Sequence, residues 1–289
     1  MGIKYQINED FFKKWSKKSA YILGFLFADG NLENAPYIRG RYIRFTNTDF
    51  SIIKQIKEAL NSSHTIVVTP ASGNRKEKYL LRIGSHKLYR DLELLGLHPR
   101  KSHNMEFPKV PGQYLADFIR GYFDGDGTIA FENIKNRPNS RLKAIFTSGS
   151  KNFLLSLADI LKVYTDGYLA KVYKSRRSYQ LVYRSKRAIN ILNFIYSTAD
   201  KKPSLCLDRK YDRYKELISK PETVGCSNIF DKSSRIWTYG AVGRRTQVAK
   251  GGVCKTPMQR FNSARRLQFS LPSFAMGRII ISRAVSAVG

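Results

Sequence analysis

The chain has 289 residues, of which 42% are hydrophobic and 12% aromatic, enough to build a core and to exclude a disordered polymer. Lys and Arg number 51 against 22 Asp and Glu, and the resulting net charge of +29 predicts a polyanionic partner. Nucleic acid is the first candidate and an anionic membrane surface the second. The longest apolar run, Ala20–Ala28, is too short to span a bilayer, so no membrane role is expected.

The three cysteines, Cys206, Cys226 and Cys254, are widely spaced. None of them forms the close pair that is typical of a zinc site, and their odd number argues against a disulfide framework. The chain therefore fits a reducing compartment. Bacterial cytoplasm, a phage-infected cell and an organelle all stay open as its location.

The first half of the chain predicts a regular succession of helices and strands. Residues 3–18 carry aromatic side chains at helical spacing between lysines, which predicts a short amphipathic helix before the apolar run. Periodicity then predicts a strand over 37–45, helices over 51–60 and 88–97, and a hairpin from 65–68 and 79–83. From the apolar run onward the order is helix, strand, strand, helix, strand, strand, helix.

This order repeats after a segment at 107–112 that is rich in proline and glycine and is typical of a linker. Three landmarks recur in the same order at offsets of 97, 101 and 100 residues, which indicates an internal duplication. We predict a first repeat at 1–105 and a second at 106–220. The remaining residues, 221–289, form a basic tail that is either disordered or translated from non-coding sequence.

Each repeat contains an apolar run with small residues four positions apart, Gly24 and Ala28 in the first, Gly121 and Gly125 in the second. On a helix this spacing places both small residues on one face, where another backbone can approach closely. The natural partner of each run is the other copy. We therefore expect the two helices to pack side by side.

An acid and a glycine follow each run. Parallel packing would bring Asp29 and Asp126 together at the C-terminal helix ends, where the helix dipole and their mutual repulsion both disfavour negative charge. A hard divalent cation with oxygen ligands would offset that repulsion. Gly30 and Gly127 are expected in the left-handed conformation that ends many helices.

These motifs, at 22–30 and 119–127, resemble those of the LAGLIDADG homing endonuclease family. Phe27 stands where the motif has its first acid, and Asp124 keeps that acid in the second copy. The resemblance implies an α+β fold of two pseudo-symmetric αββαββα repeats that form a DNA-binding saddle of antiparallel sheets. It also implies a monomer that uses Mg²⁺ or Mn²⁺ to cleave both strands of a long asymmetric double-stranded DNA target.

The resemblance also assigns roles to single residues. Asp29 and Asp126 become metal ligands and catalytic residues, with further metal contacts at Ala28 and Gly125. The family also has a lysine near each active centre, and the corresponding residues, Lys101 and Lys210, are assigned as catalytic. Polar residues at the ends of strands facing the acids, Asn47, Thr48 and Ser148, are weaker candidates for orienting water.

Strands with alternating basic residues occur in equivalent places of the two halves, and a two-stranded ribbon with such a face can enter the major groove of DNA. The predicted DNA-binding residues of the first half are Arg39, Arg41, Arg44, Lys76, Lys78 and Arg82. Those of the second half are Arg141, Lys143, Lys171, Lys174, Arg176, Arg177 and Arg184. Which of them contact bases and which contact phosphates stays open.

Two classes of function fit these features. The first is a site-specific DNA endonuclease, intron-encoded or free-standing, in which two acids cut the two strands. The second is a binding protein on the same fold, either an RNA maturase that assists its own group I intron or a non-cleaving regulator. Retention of both acids favours cleavage, because a pure binder gains nothing from two carboxylates near phosphate.

Overall fold

A computed structural model of the chain describes residues 5–38, 40–99, 104–133, 141–197 and 202–219. The first half contains α1 (Lys17–Asp29), β1 (Gly30–Ala35), β2 (Gly40–Asn47), α2 (Phe50–Ala59), β3 (Ile66–Thr69), β4 (Lys78–Gly84) and α3 (His86–Leu94). The second contains α4 (Leu115–Asp126), β5 (Gly127–Glu132), β6 (Arg141–Ser148), α5 (Lys151–Leu161), β7 (Val172–Ser175), β8 (Ser178–Arg184), α6 (Ser185–Tyr196) and α7 (Asp208–Ser219). None of these helices combines the length and the apolar character needed to cross a membrane.

The two halves have the same topology. Each contributes one four-stranded antiparallel sheet, with strand orders β1-β2-β4-β3 and β5-β6-β8-β7. The registers also correspond, since Gly30 pairs with Phe45 in one sheet and Gly127 with Phe146 in the other. The α+β class and the predicted order of elements are therefore confirmed. The repeat boundaries stay a prediction, and the tail at 221–289 lies outside the described residues.

Alternation along the strands separates a helix-covered face of each sheet from an outer face. In β2, Ile43 and Phe45 are buried against the helices, and in β6 the buried side chains are Leu142, Ala144 and Phe146. Residues of the opposite parity are only half-buried. This period of two fixes which side chains can lie on the outer face.

The amphipathic helix predicted at 3–18 is wrong for its described part, since residues 9–14 form turns and a bend. The first helix begins at Lys17 because Ser16 and Ser19 form a reciprocal capping box, with Ser16 N donating to Ser19 Oγ at 2.8 Å. The aromatic residues that suggested a helix, Phe11, Phe12 and Trp15, pack against the core from these turns. Burial of aromatic side chains, not helix formation, explains their spacing.

The connections after α3 and α6 each reach across to the other half. Ser150, at the start of α5, donates to the Met105 carbonyl oxygen at 2.7 Å. In the opposite direction, Ser51 of α2 donates to Asp208 Oδ2 at 2.8 Å, and Cys206 N donates to Gln55 at 3.4 Å. These hydrogen bonds connect the two halves of the chain.

Candidate functional site

The site is built on α1 and α4, whose backbones come into direct contact at glycine. A Cβ atom added to Gly24 would overlap the Phe118 carbonyl oxygen, and one added to Gly121 would overlap the Tyr21 carbonyl oxygen. The two contacts are reciprocal, since each glycine faces the residue three positions before the glycine of the other motif. Close packing of the two motif helices on their small residues, as the sequence predicted, is therefore present in the structure.

The helix ends that carry the acids also lie side by side. A Cβ atom on Gly125 would overlap Ala28 Cβ and would lie 3.4 Å from the Asp29 backbone nitrogen. Burial raises the pKa of the Tyr122 phenol, and the nearby carboxylates of Asp126 and Asp29 raise it further. Both acids therefore act electrostatically on one tyrosine between the helices.

The glycines after the acids are not left-handed, so that prediction is wrong. Gly30 has φ −88° and ψ 161°, and Gly127 has φ −84° and ψ 160°, both extended values that any residue can adopt. Glycine is needed here for space, because a Cβ atom would overlap Leu26 in the first motif and Phe123 in the second. The chain passes from helix directly into strand against the last helical turn.

Asp29 accepts a hydrogen bond from Asn47 Nδ2 at 3.0 Å, which ties the acid to the end of β2. The matching residue at the end of β6 is Ser148, which instead accepts from Ser150 N at 3.1 Å. The strand end beside the second acid is held by Tyr122, whose hydroxyl donates to the Thr147 carbonyl oxygen at 2.6 Å. Asn47, a weak candidate from the sequence, thus contacts an acid directly, and its Oδ1 also accepts from Asp49 N at 3.0 Å in a turn that matches the one at Ser148.

Asp124 is fully buried and accepts three hydrogen bonds, which the sequence did not predict. Tyr21 of α1 donates at 2.8 Å, Tyr196 of α6 at 2.5 Å and the backbone of Leu207 at 2.8 Å. Burial raises the pKa of this carboxyl, and the surrounding donors and Lys210 act in the opposite direction. The carboxyl therefore joins both motif helices to the segment that leads into α7.

Phe27, at the corresponding position of the first motif, lies among aromatic rings. Its centroid is 5.5 Å from that of Phe118 and 6.2 Å from that of Phe153. The side chain at this motif position therefore makes hydrophobic contacts in the first half, where it is Phe27. It makes polar contacts in the second half, where it is Asp124. The difference makes the two halves of the helix interface chemically unlike.

Lys210 is buried, with 6% of its surface exposed, and its ammonium group donates to three carbonyl oxygens at the end of α4. The acceptors are Phe123 at 2.5 Å, Asp124 at 2.8 Å and Gly127 at 2.6 Å. A cation is favourable at a helix C-terminus, where the carbonyls lack helical partners. Burial lowers the pKa of this ammonium to about 8, while Asp124 opposes the shift. Lys101 lies outside the described residues.

The donors around the two acids fit a hard divalent cation. Two carboxylates, Asp29 and Asp126, are available, and Ala28 and Gly125 can contribute only their backbone carbonyl oxygens. Within the described ranges no group of three or more His, Cys, Asp or Glu side chains could hold a metal ion. A site with two carboxylates suits a cation such as Mg²⁺, which keeps several of its own waters.

The family comparison agrees with this geometry. Residues 113–195, from just before α4 to the end of α6, match the family model described as a LAGLIDADG-like domain. The chain contains a LAGLIDADG-like domain. The first half carries the same order of elements around the motif at 22–30 that resembles this family in sequence.

Curated relatives match part of this chain. A probable translation initiation factor IF-2 of Methanocaldococcus jannaschii is 27% identical over 180 residues, which are 60% of this chain and 14% of the relative. A reverse gyrase of the same organism is 25% identical over 173 residues, 60% of this chain and 10% of the relative. The chain thus spans about one seventh or less of the length of these relatives.

Solved structures with a similar arrangement include two homing endonucleases and a WhiA protein. I-WcaI, bound to its DNA recognition sequence, is 14% identical with a TM-score of 0.48, covering 65% of this chain and 85% of that one. I-LtrWI, a LAGLIDADG endonuclease bound to target DNA, is 12% identical with a TM-score of 0.49, covering 78% and 94%. Full-length DUF199/WhiA from Thermatoga maritima is 18% identical with a TM-score of 0.45, covering 74% and 64%.

In the described part of each half, the outer face of the sheet carries a glutamate that pairs with several cations. Glu33 accepts from Arg82 at 2.9 Å and lies 3.8 Å from Arg44. In the second sheet Glu132 pairs with Arg141 at 2.6 Å, Lys143 at 3.0 Å and Arg184 at 3.7 Å. Hydrogen bonds from Arg141 and Lys143 lower the pKa of Glu132 to about 2, so it stays anionic at neutral pH. The sequence did not predict these pairs.

Arg41 does not share that outer face, so its predicted place among the cations of that face is wrong. It has the parity of Ile43 and Phe45, and its guanidinium lies 3.7 Å from Glu93 of α3 and over the Tyr89 ring. It therefore lies on the helix-covered side. The alternation that buries Ile43 also fixes the face on which Arg41 lies, so the sequence alone was sufficient to place Arg41 on the helix-covered side.

The remaining predicted DNA-binding residues lie at the ends of the hairpins. Their described members, all exposed, are Lys76 and Lys78 in the first half and Lys171, Lys174, Arg176 and Arg177 in the second. Arg39 lies outside the described residues. The structure thus separates the predicted cations into a paired outer-face group and an exposed hairpin group.

Proposed function

We propose that this chain is a site-specific, metal-dependent endonuclease that hydrolyses phosphodiester bonds on both strands of DNA. The observation that carries the proposal is the meeting of α1 and α4 at their glycines, which sets Asp29 and Asp126 side by side at the helix ends. Two carboxylates at such ends oppose the helix dipoles, so their presence needs a compensating role. The match to a LAGLIDADG-like domain supports the same reaction class.

Asp29 and Asp126 would hold the divalent ions, with the carbonyl oxygens of Ala28 and Gly125 as further contacts. When bound, such an ion lowers the pKa of water and stabilises charge that develops on phosphate. Asn47 would keep one oxygen of Asp29 oriented, since its amide already donates to that carboxylate. The donor set is equally suitable for Mg²⁺ and Mn²⁺, both of which prefer oxygen ligands.

The proposed substrate is double-stranded DNA with a long asymmetric target. The outer faces of the two sheets carry different basic residues, Arg44 and Arg82 on one, Arg141, Lys143 and Arg184 on the other. Two unlike faces would read two unlike half-sites. Because one chain supplies both acids, a monomer suffices.

The experiment starts with selection of a cleaved sequence from a randomised DNA library by the full-length chain. Asp29→Asn and Asp126→Asn are then compared on that target with Asp159→Asn, which changes an exposed acid on α5. Loss of an ion ligand removes several kcal/mol of transition-state stabilisation, so plasmid cleavage with Mg²⁺ should fall by about two orders of magnitude or more. The control should cleave normally.

Binding is measured separately by gel shift in chelator. Each Asn variant should bind the target as tightly as the wild type or more tightly, because a negative charge near phosphate is removed. Wild-type cleavage rates in both Asn variants would end the catalytic proposal. A wild type that binds duplex or intron RNA without cleaving DNA would favour the regulator or maturase instead.

A further inference from the structure

A basic cavity lies in the second half, between the β7–β8 turn and the first turn of α5. It is open to solvent, has a volume of about 380 Å³ and is lined by residues 149–152, 174 and 176–179. Four of its lining residues are cationic: Lys151, Lys174, Arg176 and Arg177. No acidic residue lines it. The lining therefore has the charge of a site for an anion.

Within the part of the chain that the structure describes, the four cations differ from those on the outer sheet face in having no acidic partner. Arg141, Lys143 and Arg184 all pair with Glu132. Among the described residues no ion pair involves a cavity cation, and all four side chains are exposed. Their charge is thus not offset locally and remains available to a ligand.

The turn that carries two of the cations is unfavourable for arginine. Ser175 pairs with Ser178, so Arg176 and Arg177 form a two-residue hairpin loop. Arg176 has φ +44°, a left-handed value for which glycine or asparagine is preferred. Local backbone preference does not explain an arginine there, whereas a role for its charge at the cavity does.

The cavity is close to the acid of the second motif. Gly127, which follows Asp126, pairs with Phe146, and the cavity wall begins three residues beyond that partner at Gly149. At about 3.3 Å per residue, the cavity wall at Gly149 lies roughly 10 Å along the strand direction from Phe146, which is level with the end of the second motif. DNA rises about 3.4 Å per nucleotide, so that distance corresponds to about three nucleotides along one strand.

At the corresponding place, the described part of the first half carries different side chains. Asp49 caps α2 where Ser150 caps α5, and the next residue is Phe50 in place of Lys151. The Phe50 ring packs on Tyr79, whose hydroxyl donates to Glu77. Tyr79 pairs with Asn47 as Tyr179 pairs with Ser148, so the two places correspond in register. Acidic and aromatic side chains occupy the place that is basic in the second half.

We propose that this cavity binds a backbone phosphate of the target DNA, a few nucleotides from the level of Asp126. Because Asp49, Phe50 and Glu77 stand at the corresponding place in the first half, this phosphate contact fixes the direction in which an asymmetric target lies across the protein. The inference rests on the proposed DNA substrate and not on cleavage. A phosphate contact positions DNA without reading its sequence.

The first test measures binding of the full-length chain to a mixed-sequence duplex in chelator at several salt concentrations. Arg177→Gln combined with Lys151→Gln should lower the magnitude of the salt slope by about one unit, the effect of one lost phosphate contact. The control is Arg90→Gln combined with Lys54→Gln, two exposed cations on α3 and α2 that are not among the predicted DNA-binding residues. A slope equal to the wild type's, a control with the same loss, or a wild type that binds no duplex would each overturn the proposal.

Arg176→Gly separates binding from folding. Glycine accepts the left-handed φ, so this variant should keep or raise the melting temperature while it weakens DNA binding. On a selected target, a neutral methylphosphonate is then placed at each phosphate in turn. One position, on the strand and side nearest Asp126, should weaken wild-type binding but leave the Arg177→Gln, Lys151→Gln variant unaffected. Equal sensitivity of both proteins at every position, or failure to select any asymmetric target, would refute the orienting role.

A failure of the proposed function gives a different pattern. If the Asn variants of Asp29 and Asp126 cleave normally, the endonuclease proposal fails although the salt slope and the methylphosphonate position still report the cavity. If those variants are inactive and the cavity variants bind as the wild type does, the cavity proposal fails alone.

Discussion

Glu33 and Glu132 each bridge two cations that lie directly opposite one another on neighbouring strands. Arg44 faces Arg82 across β2 and β4, with Glu33 beside both, and Lys143 faces Arg184 across β6 and β8, with Glu132 beside both. Like charges in that position are destabilising. One carboxylate per sheet therefore permits a dense basic face and holds its side chains in fixed positions.

We predict that Glu132→Gln strengthens non-specific DNA binding and weakens discrimination. Three cations lose their shared anion, so the magnitude of the salt slope should rise by about one unit. The guanidinium groups also lose the partner that orients them, so a selected target should gain less affinity than a mixed-sequence duplex. Gel shifts with both duplexes measure the two affinities. The control is Glu216→Gln on α7, which removes the acidic partner of Arg213. Equal gains for both duplexes would contradict the orienting role.

A second prediction concerns the helix contact. Gly121→Ala places a methyl group on the Tyr21 carbonyl oxygen, so α1 and α4 must separate. Overpacking of this kind costs about 1–3 kcal/mol, and the melting temperature should fall by roughly 2–4 °C per kcal/mol. Gly112→Ala, which meets no atom within 4 Å, is the matched control. A melting temperature equal to that of the control would show that the helices tolerate a wider spacing.

The sequence predicts those parts of the fold that depend on periodicity and repetition. The alternation in β2 and β6 fixes which side chains face the core. The small residues Gly24 and Gly121 fix where the two helices come into contact. Because the chain is duplicated, each of these patterns appears twice. Arg41 was misplaced because its charge was given more weight than its parity with Ile43. That error came from the interpretation and not from a missing signal.

Other features depend on residues far apart in the chain. The acceptors of Lys210 lie more than eighty positions away, and Asp124 meets Tyr21 across 103. No local pattern encodes such contacts, since only packing of three helices brings them together. The role of Gly30 was likewise misjudged because a helix-ending glycine and a glycine required for space look the same in sequence.

Asp124 provides a third prediction, on stability. Asp124→Leu would leave the hydroxyls of Tyr21 and Tyr196 and the Leu207 N–H without their acceptor in a buried site. An unsatisfied buried polar group costs about 1–3 kcal/mol, so this variant should unfold at lower denaturant than Asp124→Asn, which keeps a carbonyl oxygen. Urea unfolding compares the two. A leucine variant as stable as the asparagine variant would mean that the hydroxyls find other partners.

The last prediction concerns Lys210, which the sequence comparison placed near an active centre. Its three donors are taken up by carbonyl oxygens of α4 and Gly127, so we expect it to position Asp126 without touching DNA. Lys210→Met should lower the melting temperature, because three carbonyls at a helix end lose their cation. It should also raise the Mg²⁺ concentration needed for half-maximal cleavage, because Asp126 is the last residue of that helix.

DNA binding distinguishes this positioning role from a phosphate contact. The salt slope of Lys210→Met in chelator should equal that of the wild type, since a buried ammonium releases no counterion. Arg209→Met, which removes an exposed cation one residue earlier, is the control for charge alone and should leave the Mg²⁺ requirement unchanged. If Lys210→Met instead lowered the slope by about one unit and cleaved bound DNA at the normal single-turnover rate, Lys210 would be a DNA-contacting lysine.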